Sequence, residues 1–459
     1  MPVPSHSDPD DLVPGWVSAA GPSSERWSET LADRLKIGAA LNLLGTAFNQ
    51  GSTLLVNIAV ANVLGREIFG QYTIVMATIA AAATLAQLSM GYTATKYVAE
   101  LRSTDPVRTS RILGLCGAVS ILAAFLTALA LVISADWLAR RVLDAAALAP
   151  LLRIAAAAVF CTVLNGYFSG ALAGLERYRA IAANGITSGS IYALVCIGLA
   201  WTNGLTGAVT GVAISAFVQS ALLGILLRRQ VGRFNVSLTH RDLWQERRVI
   251  SRFAVPASLA GFITLPAVWI SSALLARQPG GFHQLALFGA ANSFRLIVMF
   301  VPQAINSVTL SLLNNQRRSS EEGYRRVFSM NLVASVTTAL VLSCLMLVAA
   351  SPLLRLFGGD FVEGRGVLMI LLGVAVVEAI ALAWYQVIVS HGRMWASLLA
   401  VAVPRDGTLV VMAAVLTPVL GAVGLATAHA TGSVLALVSI LILASRLGNE
   451  PSRTLMSTR

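Results

Sequence analysis

Five side chains able to carry charge lie near the middle of long apolar stretches of this 459-residue sequence, and they are the strongest candidates for chemistry. They are Arg295, Glu378, Arg405, Asp406 and His429, each near the middle of its stretch and all in the second half of the chain. A charge at the centre of a membrane helix costs about 2.5–3.5 kcal/mol on insertion scales, so such residues usually mark a functional site.

Residue type indicates what each could do. A guanidinium is a permanently charged planar fork that matches a phosphate, so Arg295 is the first candidate for a substrate contact. Glu378 and Asp406 could form internal ion pairs with the arginines or could couple a proton or another ion, and both alternatives stay open. His429 is expected to be a hydrogen-bonded packing residue rather than a proton carrier. Arg405 and Asp406 point about 100° apart on a helix and are expected not to pair with each other.

A polar stripe follows the first apolar stretch. Its members fall within about 80° of a helical arc; they are Asn42, Thr46, Asn49, Thr53 and Asn57. Hydrogen bonds between packed helices would explain a few of these residues. Because the stripe has a member at every turn, it predicts instead the wall of a hydrated cavity.

Membrane helices must position these side chains. Apolar residues make up 56% of the chain and charged residues only 12%, with a mean hydropathy of +0.75, whereas soluble domains carry about 25% charged residues. Twelve apolar stretches could each cross a hydrocarbon core of about 30 Å as a helix. They lie at 38–62, 70–92, 112–134, 149–172, 181–202, 205–227, 253–276, 285–311, 327–350, 367–389, 395–417 and 421–445. The expected fold is all-α: a polytopic membrane protein with six spans in each half.

The two halves also repeat a short pattern. Gly174-Leu175-Glu176-Arg177 is followed by a glycine-rich segment at 207–213, and Ser390-His391-Gly392-Arg393 is followed at nearly the same interval by a similar segment at 421–427. We match Gly207 with Gly421. Two like halves around a shared cavity are typical of transporters, which open that cavity to either side in turn.

The repeat suggests a domain organisation. We expect a disordered cytoplasmic tail at 1–36, an N-terminal six-helix lobe at 37–227 and a cytoplasmic linker at 228–252. A C-terminal six-helix lobe at 253–446 and a second cytoplasmic tail at 447–459 complete the chain.

The distribution of basic residues predicts the orientation. The tails and alternate loops on their side hold about four times as many Lys and Arg as the opposite loops, which places both termini in the cytoplasm. This asymmetry accounts for the net charge of +12 and argues against nucleic-acid binding, because the basic residues are spread over many short loops. Arg153 lies nearer the outer face, where it is expected to reach towards the interface.

Several other classes of function are excluded. The four cysteines all fall inside predicted spans with no metal-ligand spacing, so we expect no metal, disulfide or cofactor. Neither of the two lysines lies in a phosphate-binding loop, so we expect no ATP hydrolysis. The loops are too short to hold a catalytic domain, and we expect no enzyme activity.

Four segments together resemble a known family. They are Val63 to Tyr72 (VLGREIFGQY), Phe288 to Arg295 (FGAANSFR) followed by Pro302, Leu356 to Phe361 (LFGGDF), and Gly421 to Thr427 (GAVGLAT). Their order and spacing over about residues 37–446 resemble the polysaccharide-biosynthesis flippases of the multidrug/oligosaccharidyl-lipid/polysaccharide (MOP) flippase superfamily.

This resemblance implies two six-helix lobes around a central cavity. It also implies that the chain moves an undecaprenyl-pyrophosphate-linked oligosaccharide across the bacterial plasma membrane, for O-antigen, capsule or exopolysaccharide synthesis. Arg295, with Arg405 in support, is then expected at the pyrophosphate, and the Asn42 to Asn57 stripe at the glycan. The expected partners are this lipid-linked oligosaccharide and membrane lipids, with a polysaccharide polymerase and glycosyltransferases acting beside a monomeric flippase.

Three alternatives are weaker. Peptidoglycan-precursor (lipid II) flippases carry cations in their first two spans and usually have fourteen helices, whereas here those spans lack charge. A multidrug or cation antiporter of the same superfamily would place a carboxylate in its first lobe, but every Asp and Glu of the first half lies in a tail or loop. A polymerase or ligase would need a large outer loop.

Overall fold

The computed structural model of the chain describes residues 23–102, 104–233, 246, 255–319, 321–391 and 394–448. Thirteen α-helices lie in these ranges, which contain no β-strand. They are α1 (Ser23–Leu64), α2 (Arg66–Gln87), α3 (Met90–Leu101), α4 (Pro106–Trp137), α5 (Ala149–Gly174), α6 (Tyr178–Arg233), α7 (Val255–Ala276), α8 (Gly281–Ser319), α9 (Glu321–Val348), α10 (Ala350–Arg355), α11 (Arg365–Ser390), α12 (Met394–Ser397) and α13 (Val403–Gly448). A π-helical segment, Leu398–Ala402, joins α12 to α13.

These helices contain the twelve predicted spans. Eight helical segments of the described chain are long and apolar enough to cross a membrane. Two of them, Tyr178–Val231 and Trp395–Arg446, have 54 and 52 residues, and each is broken by a glycine of non-helical conformation, so each supplies two spans. Helices α1 and α7 supply the remaining two. The prediction of an all-α, twelve-span membrane protein is confirmed.

The repeat between the halves is present, but its register differs from the prediction by three residues. The chain reverses at Gly204 (φ 59°) and at Gly421 (φ 54°), where a side chain would strain the left-handed backbone. Three residues later, a Cβ on Gly207 or Gly424 would lie only 1.8 or 2.4 Å from a carbonyl oxygen of the preceding span. Gly204 therefore corresponds to Gly421, and Gly207 to Gly424, because each hairpin needs one glycine to turn and one to let its helices approach.

Two element boundaries differ from the predicted ones. Helix α1 begins at Ser23, so part of the expected disordered tail at 1–36 is helical; Glu, Leu, Ala, Arg and Lys in this part are good helix formers. Residues 1–22 lie outside the described chain. The span predicted at 70–92 ends at Gln87, because Leu88 and Ser89 adopt left-handed conformations (φ 45° and 53°) before α3 starts.

The two halves meet mainly through helix α2. It packs against α7 and α8 of the second half, and α1 also contacts α8. The other helices pack chiefly within their own half, for example α1 and α5 against α6, and α8 and α11 against α9. The α2 surface is therefore where side chains of both halves can line a common space.

Close approach at this contact depends on Gly70, which lies in the segment resembling the flippases. A Cβ added there would lie 1.9 Å from the carbonyl oxygen of Phe282, in the first turn of α8. We expect Gly70→Ala to lower the free energy of unfolding by about 1–3 kcal/mol, because backbone cannot yield as a flexible side chain does. Thermal unfolding of the detergent-purified protein would measure this effect.

Gly373→Ala in α11 is the matched control. No heavy atom lies within 4 Å of a Cβ built on Gly373, so this change should be neutral or stabilising by up to about 1 kcal/mol, as expected for alanine in a helix. Equal unfolding temperatures for the Gly70→Ala and Gly373→Ala variants would contradict the role of Gly70.

Candidate functional site

A cavity of about 590 Å³ lies between the halves, and we call it the charged cavity. Helices α1, α2, α7, α8, α11 and α13 all contribute to its wall. It brings together all five charged or titratable residues singled out in the sequence; these are Arg295, Glu378, Arg405, Asp406 and His429. Residues from three helices that are far apart in the chain therefore share one site near the middle of the membrane spans.

Arg295 of α8 forms an ion pair with Glu378 of α11 inside the charged cavity. The Arg295 side chain is 14% exposed and that of Glu378 is 28% exposed. Arg295 Nε also donates a hydrogen bond of 2.9 Å to Asn292 Oδ1, one turn earlier on α8. Ser433 Oγ of α13 donates to the second carboxylate oxygen of Glu378, at 3.4 Å. The pair thus links three helices and holds the guanidinium in one orientation.

Arg405 and Asp406 pair with each other, and the expectation that they would not is wrong. Arg405 Nε lies 2.8 Å from Asp406 Oδ1 and Nη2 lies 3.1 Å from Oδ2. Thr264 of α7 completes the contact: its hydroxyl accepts from Arg405 Nη2 at 2.6 Å and donates to Asp406 Oδ2 at 2.8 Å. The Cα–Cβ bonds diverge as predicted from helix geometry, but the long arginine side chain folds back towards its neighbour.

The two ion pairs make the charged cavity electrically balanced. Each arginine faces one carboxylate, which explains how four charges are tolerated at this depth. Donors nevertheless remain, because a guanidinium has five N–H groups. Among the described residues, Arg295 Nη2 and Arg405 Nη1 have no hydrogen-bond partner. An anion entering the cavity could bind these donors or displace a carboxylate.

His429 lies on the wall of the charged cavity and is 9% exposed. Its ring packs against Phe288, with 5.3 Å between ring centroids. Within the described chain, its Nε2 atom is buried without a hydrogen-bond partner. The ring therefore packs as expected, but this nitrogen lacks the expected hydrogen bond and is a candidate ligand contact.

Only part of the polar stripe of α1 reaches the charged cavity. Thr53 and Asn57 line it, and Asn57 Nδ2 donates to Ser293 Oγ of α8 at 3.2 Å. Thr46 and Asn49 are exposed further along α1 and are not part of the cavity wall. The side chain of Asn42 lies outside the described residues.

Three polar residues that hydrogen-bond to the charged groups of this site were missed in the sequence: Thr264, Asn292 and Ser433. Each had a local signal. Asn292 precedes Arg295 by three residues and Ser433 follows His429 by four, so each shares a helical face with a residue already singled out. Thr264 is a hydroxyl in an apolar span, two residues before Pro266.

The halves are in contact at the end of the bundle that carries the α1–α2 turn, which we call the turn end. Arg66 Nη1 donates to Glu363 Oε2 at 2.8 Å and to the carbonyl oxygen of Asp360 at 3.1 Å. Asn62 Nδ2 donates to the carbonyl oxygen of Leu356 at 2.5 Å. Beneath these bonds the aromatic rings have centroids 5.7–5.9 Å apart; they belong to Phe69, Phe294, Phe357 and Phe361. The charged cavity is thus closed towards the turn end.

Towards the opposite end, one face of α1 is exposed, while Gly45 and Phe48 still lie close to Ala182 and Gly189 of α6. Leu44 and Phe48 are 63% and 43% exposed, and Thr46 and Asn49 are exposed between them. Val56, Val60 and Ala61, closer to the turn end, are buried. The stripe therefore passes from a closed region at the turn end to an open one at the opposite end.

Arg153 lies apart from this site. It forms an ion pair with Asp136 at the end of α4, and about half of each side chain is exposed. Its exposed position agrees with the expectation that it reaches towards an interface rather than binding substrate.

Comparisons with known proteins support a transport role. The family described as "Polysaccharide biosynthesis protein" matches residues 35–313. The chain is 27% identical over 392 residues to the EPS I polysaccharide export inner membrane protein EpsE of Ralstonia nicotianae, covering 82% of this chain and 85% of that protein.

Solved structures with similar folds are transporters. A multidrug resistance MATE family transporter of the MOP superfamily, in an inward-facing conformation, superposes with a TM-score of 0.73 at 15% identity, over 89% of this chain and 99% of that one. A MOP superfamily transporter from Pyrococcus furiosus superposes with a TM-score of 0.66 at 16% identity, over 90% and 95% of the two chains. The chain therefore has the two-lobed fold of these transporters.

Proposed function

Since this chain belongs to the polysaccharide biosynthesis protein family, we propose that it is a flippase for an undecaprenyl-pyrophosphate-linked oligosaccharide used in exopolysaccharide production. The observation that carries the proposal is the charged cavity, where two arginines with remaining donors lie beside a polar wall. A pyrophosphate would be bound by Arg295 and Arg405. The similarity to EpsE, a polysaccharide export protein, is consistent with this assignment.

The glycan would occupy the polar side of the charged cavity. Thr53 and Asn57 of α1 supply hydroxyl and amide groups there, and the exposed Thr46 and Asn49 continue the same stripe away from the turn end. Sugar hydroxyls both donate and accept hydrogen bonds, as these side chains do. A glycan longer than one sugar could therefore extend along α1 from the pyrophosphate.

Orientation is part of the proposal. We place both termini in the cytoplasm and the division between the lobes near residues 228–252. Because α1 crosses the membrane once, the α1–α2 turn, and with it the turn end, then faces the outside of a bacterial inner membrane. The structure would then represent a state that receives substrate from the cytoplasmic side. Export would require the lobes to separate at the turn end and close at the other end.

Reconstitution into vesicles tests this function. The lipid-linked oligosaccharide of a polysaccharide-producing strain, labelled in its sugar, would be placed in both leaflets and then exposed to an impermeant glycosidase. We expect complete digestion with the protein and about half without it, with no requirement for ATP. The proposal would be overturned if the labelled sugar were protected from the glycosidase as well as in protein-free vesicles. It would also be overturned if flipping occurred only when ATP is added.

The same vesicles address the multidrug alternative. The described α1 and α2 residues that line the charged cavity include no Asp or Glu, so no carboxylate of the first half attracts a cation there. We therefore expect no proton-driven uptake of ethidium. Ethidium transport without flipping of the lipid-linked sugar would instead assign the chain to cation export.

A further inference from the structure

A second cavity of about 580 Å³ lies within the second half, and we call it the inner cavity. It is bounded by α7, α8, α11, the π-helical segment and α13. Its wall and that of the charged cavity have five residues in common, namely Thr264, Leu265, Glu378, Arg405 and Ser433. The two cavities therefore meet at the layer of ion pairs.

The inner cavity extends from this layer away from the turn end. Its wall follows α11 from Glu378 to Tyr385 and α13 from Ser433 to Ile440. Seven residues of helix correspond to about 10 Å. Helix α11 begins at Arg365, beside the Glu363 contact of the turn end, so these residues lead towards the opposite end.

The chemistry of the wall changes along this distance. The charged groups lie where the cavities meet, whereas most of the remaining wall is apolar, including Met299, Leu382, Val401 and Ile440. Its polar members are Gln303, Tyr385 and Ser397. A volume of about 580 Å³ is within the usual range for sites that bind small organic ligands. The inner cavity thus suits a molecule with a charged group at one end and a hydrocarbon body.

The backbone is irregular at this wall. Leu398–Ala402 form a π-helical segment, and Leu398, Val401 and Ala402 of this segment line the inner cavity. The next helix begins with Val403 and Pro404, and Arg405 is its third residue. Single π-helical turns are uncommon and occur frequently at functional sites. The segment links the apolar wall directly to the Arg405 and Asp406 pair.

We propose that the inner cavity binds the isoprene units next to the pyrophosphate, so that the two cavities together form an isoprenyl-pyrophosphate site. The proposal rests on the proposed function, because the pyrophosphate would lie at Arg295 and Arg405. The glycan is attached on the other side of the pyrophosphate and faces the charged cavity. The lipid is thereby recognised by its first isoprene units as well as by its phosphates.

Binding to the purified full-length chain in lipid nanodiscs tests this inference. The probes are inorganic pyrophosphate and farnesyl pyrophosphate, and the variant is Ala436→Phe, which fills the inner cavity from α13. Ala436 is 5% exposed. For the unmodified chain we expect farnesyl pyrophosphate to bind at least about tenfold more tightly than pyrophosphate, since burial of hydrocarbon is favourable. Ala436→Phe should remove most of this advantage and change the Kd of pyrophosphate less than about twofold.

Two further variants complete the design. Ala334→Phe makes the same change at an exposed position of α9 and should retain the farnesyl advantage. Ala436→Leu is a smaller change that decides the outcome if Ala436→Phe lowers the unfolding temperature. Equal binding of both probes to the unmodified chain, or a farnesyl advantage that survives in the folded Ala436 variant, overturns the inference alone.

The remaining outcomes separate this inference from the function on which it rests. If neither pyrophosphate nor farnesyl pyrophosphate binds, the proposed pyrophosphate site fails and the inference fails with it. A third outcome is that the apolar cation tetraphenylphosphonium binds to the unmodified chain and farnesyl pyrophosphate does not. If Ala436→Phe also abolishes binding of the cation, the inner cavity is a cation site that uses Glu378.

Discussion

Arg295→Ala will reduce export of the polysaccharide by about 10- to 100-fold, because hydrogen bonds to charged groups contribute about 1.5–3 kcal/mol and the pyrophosphate would lose its main cation. The protein should still insert, since the change removes a charge from the middle of α8. Surface polysaccharide in cells that depend on this chain, compared at equal membrane levels of the two proteins, measures the effect. Normal surface polysaccharide in this variant would contradict the assignment.

Loss of export alone does not identify the cause, because Arg295 also pairs with Glu378. The single substitution leaves that carboxylate without its cation, which could impair the protein structurally. The double variant Arg295→Met with Glu378→Gln removes both charges and keeps the side-chain sizes similar. If Arg295 served only Glu378, the double variant would regain export; we expect it to remain defective.

Glu378→Gln alone gives the complementary result. Removal of the carboxylate frees the guanidinium of Arg295 from its strongest competitor, so the purified variant should bind pyrophosphate more tightly than the unmodified chain. Unchanged or weaker binding would indicate that the ion pair positions Arg295 and that Glu378 does not compete with the ligand.

The membrane environment explains why many residues of this candidate site could be predicted from the sequence. An ionisable residue in an apolar span is conspicuous and costly, so Arg295, Glu378 and Asp406 could be singled out by residue type alone. Ion pairs with the arginines were one of the open alternatives for Glu378 and Asp406, but residue type could not decide which groups pair. The Arg405 and Asp406 contact depends on the length of the arginine side chain and on Thr264 from another helix. Such contacts are properties of helix packing, which periodicity does not specify.

The fold shows the same division. Twelve spans follow from hydropathy and length, because lipid requires helices that satisfy their own backbone hydrogen bonds. The register of the repeat could not be derived in this way. Sequence similarity aligns Gly207 with Gly421, whereas the turns in the structure align Gly204 with Gly421. A positive φ angle identifies the structurally equivalent glycines.

The polar stripe shows where conformation adds to sequence. Among the described members of the stripe, Thr53 and Asn57 line the charged cavity, whereas Thr46 and Asn49 are exposed further from the turn end, where the halves are in contact. In the opposite state of a transporter, the exposure of Thr46 and Asn49 would differ. A sequence describes all states together, whereas the structure describes one.

Covalent linkage of the halves at the turn end will stop export. Asn62 and Leu356 are in hydrogen-bond contact across the halves, so cysteines at both positions should react with a short bifunctional methanethiosulfonate reagent. Because the charged cavity is closed at this end, substrate could be released there only if these residues separate. Export should be normal before the reagent is added and lost after it. A reductant, which cleaves the cross-link, should restore export.

Native thiols determine the background for this experiment. Cys116, Cys161 and Cys196 are buried and Cys344 is exposed, so the pair is best introduced with Cys344→Ser. Each single cysteine variant treated with the same reagent is the control and should retain export, because one modified side chain does not join the halves. Full export by protein shown on gels to be cross-linked would mean that substrate leaves without separation at the turn end, and alternating access around the charged cavity would then be wrong.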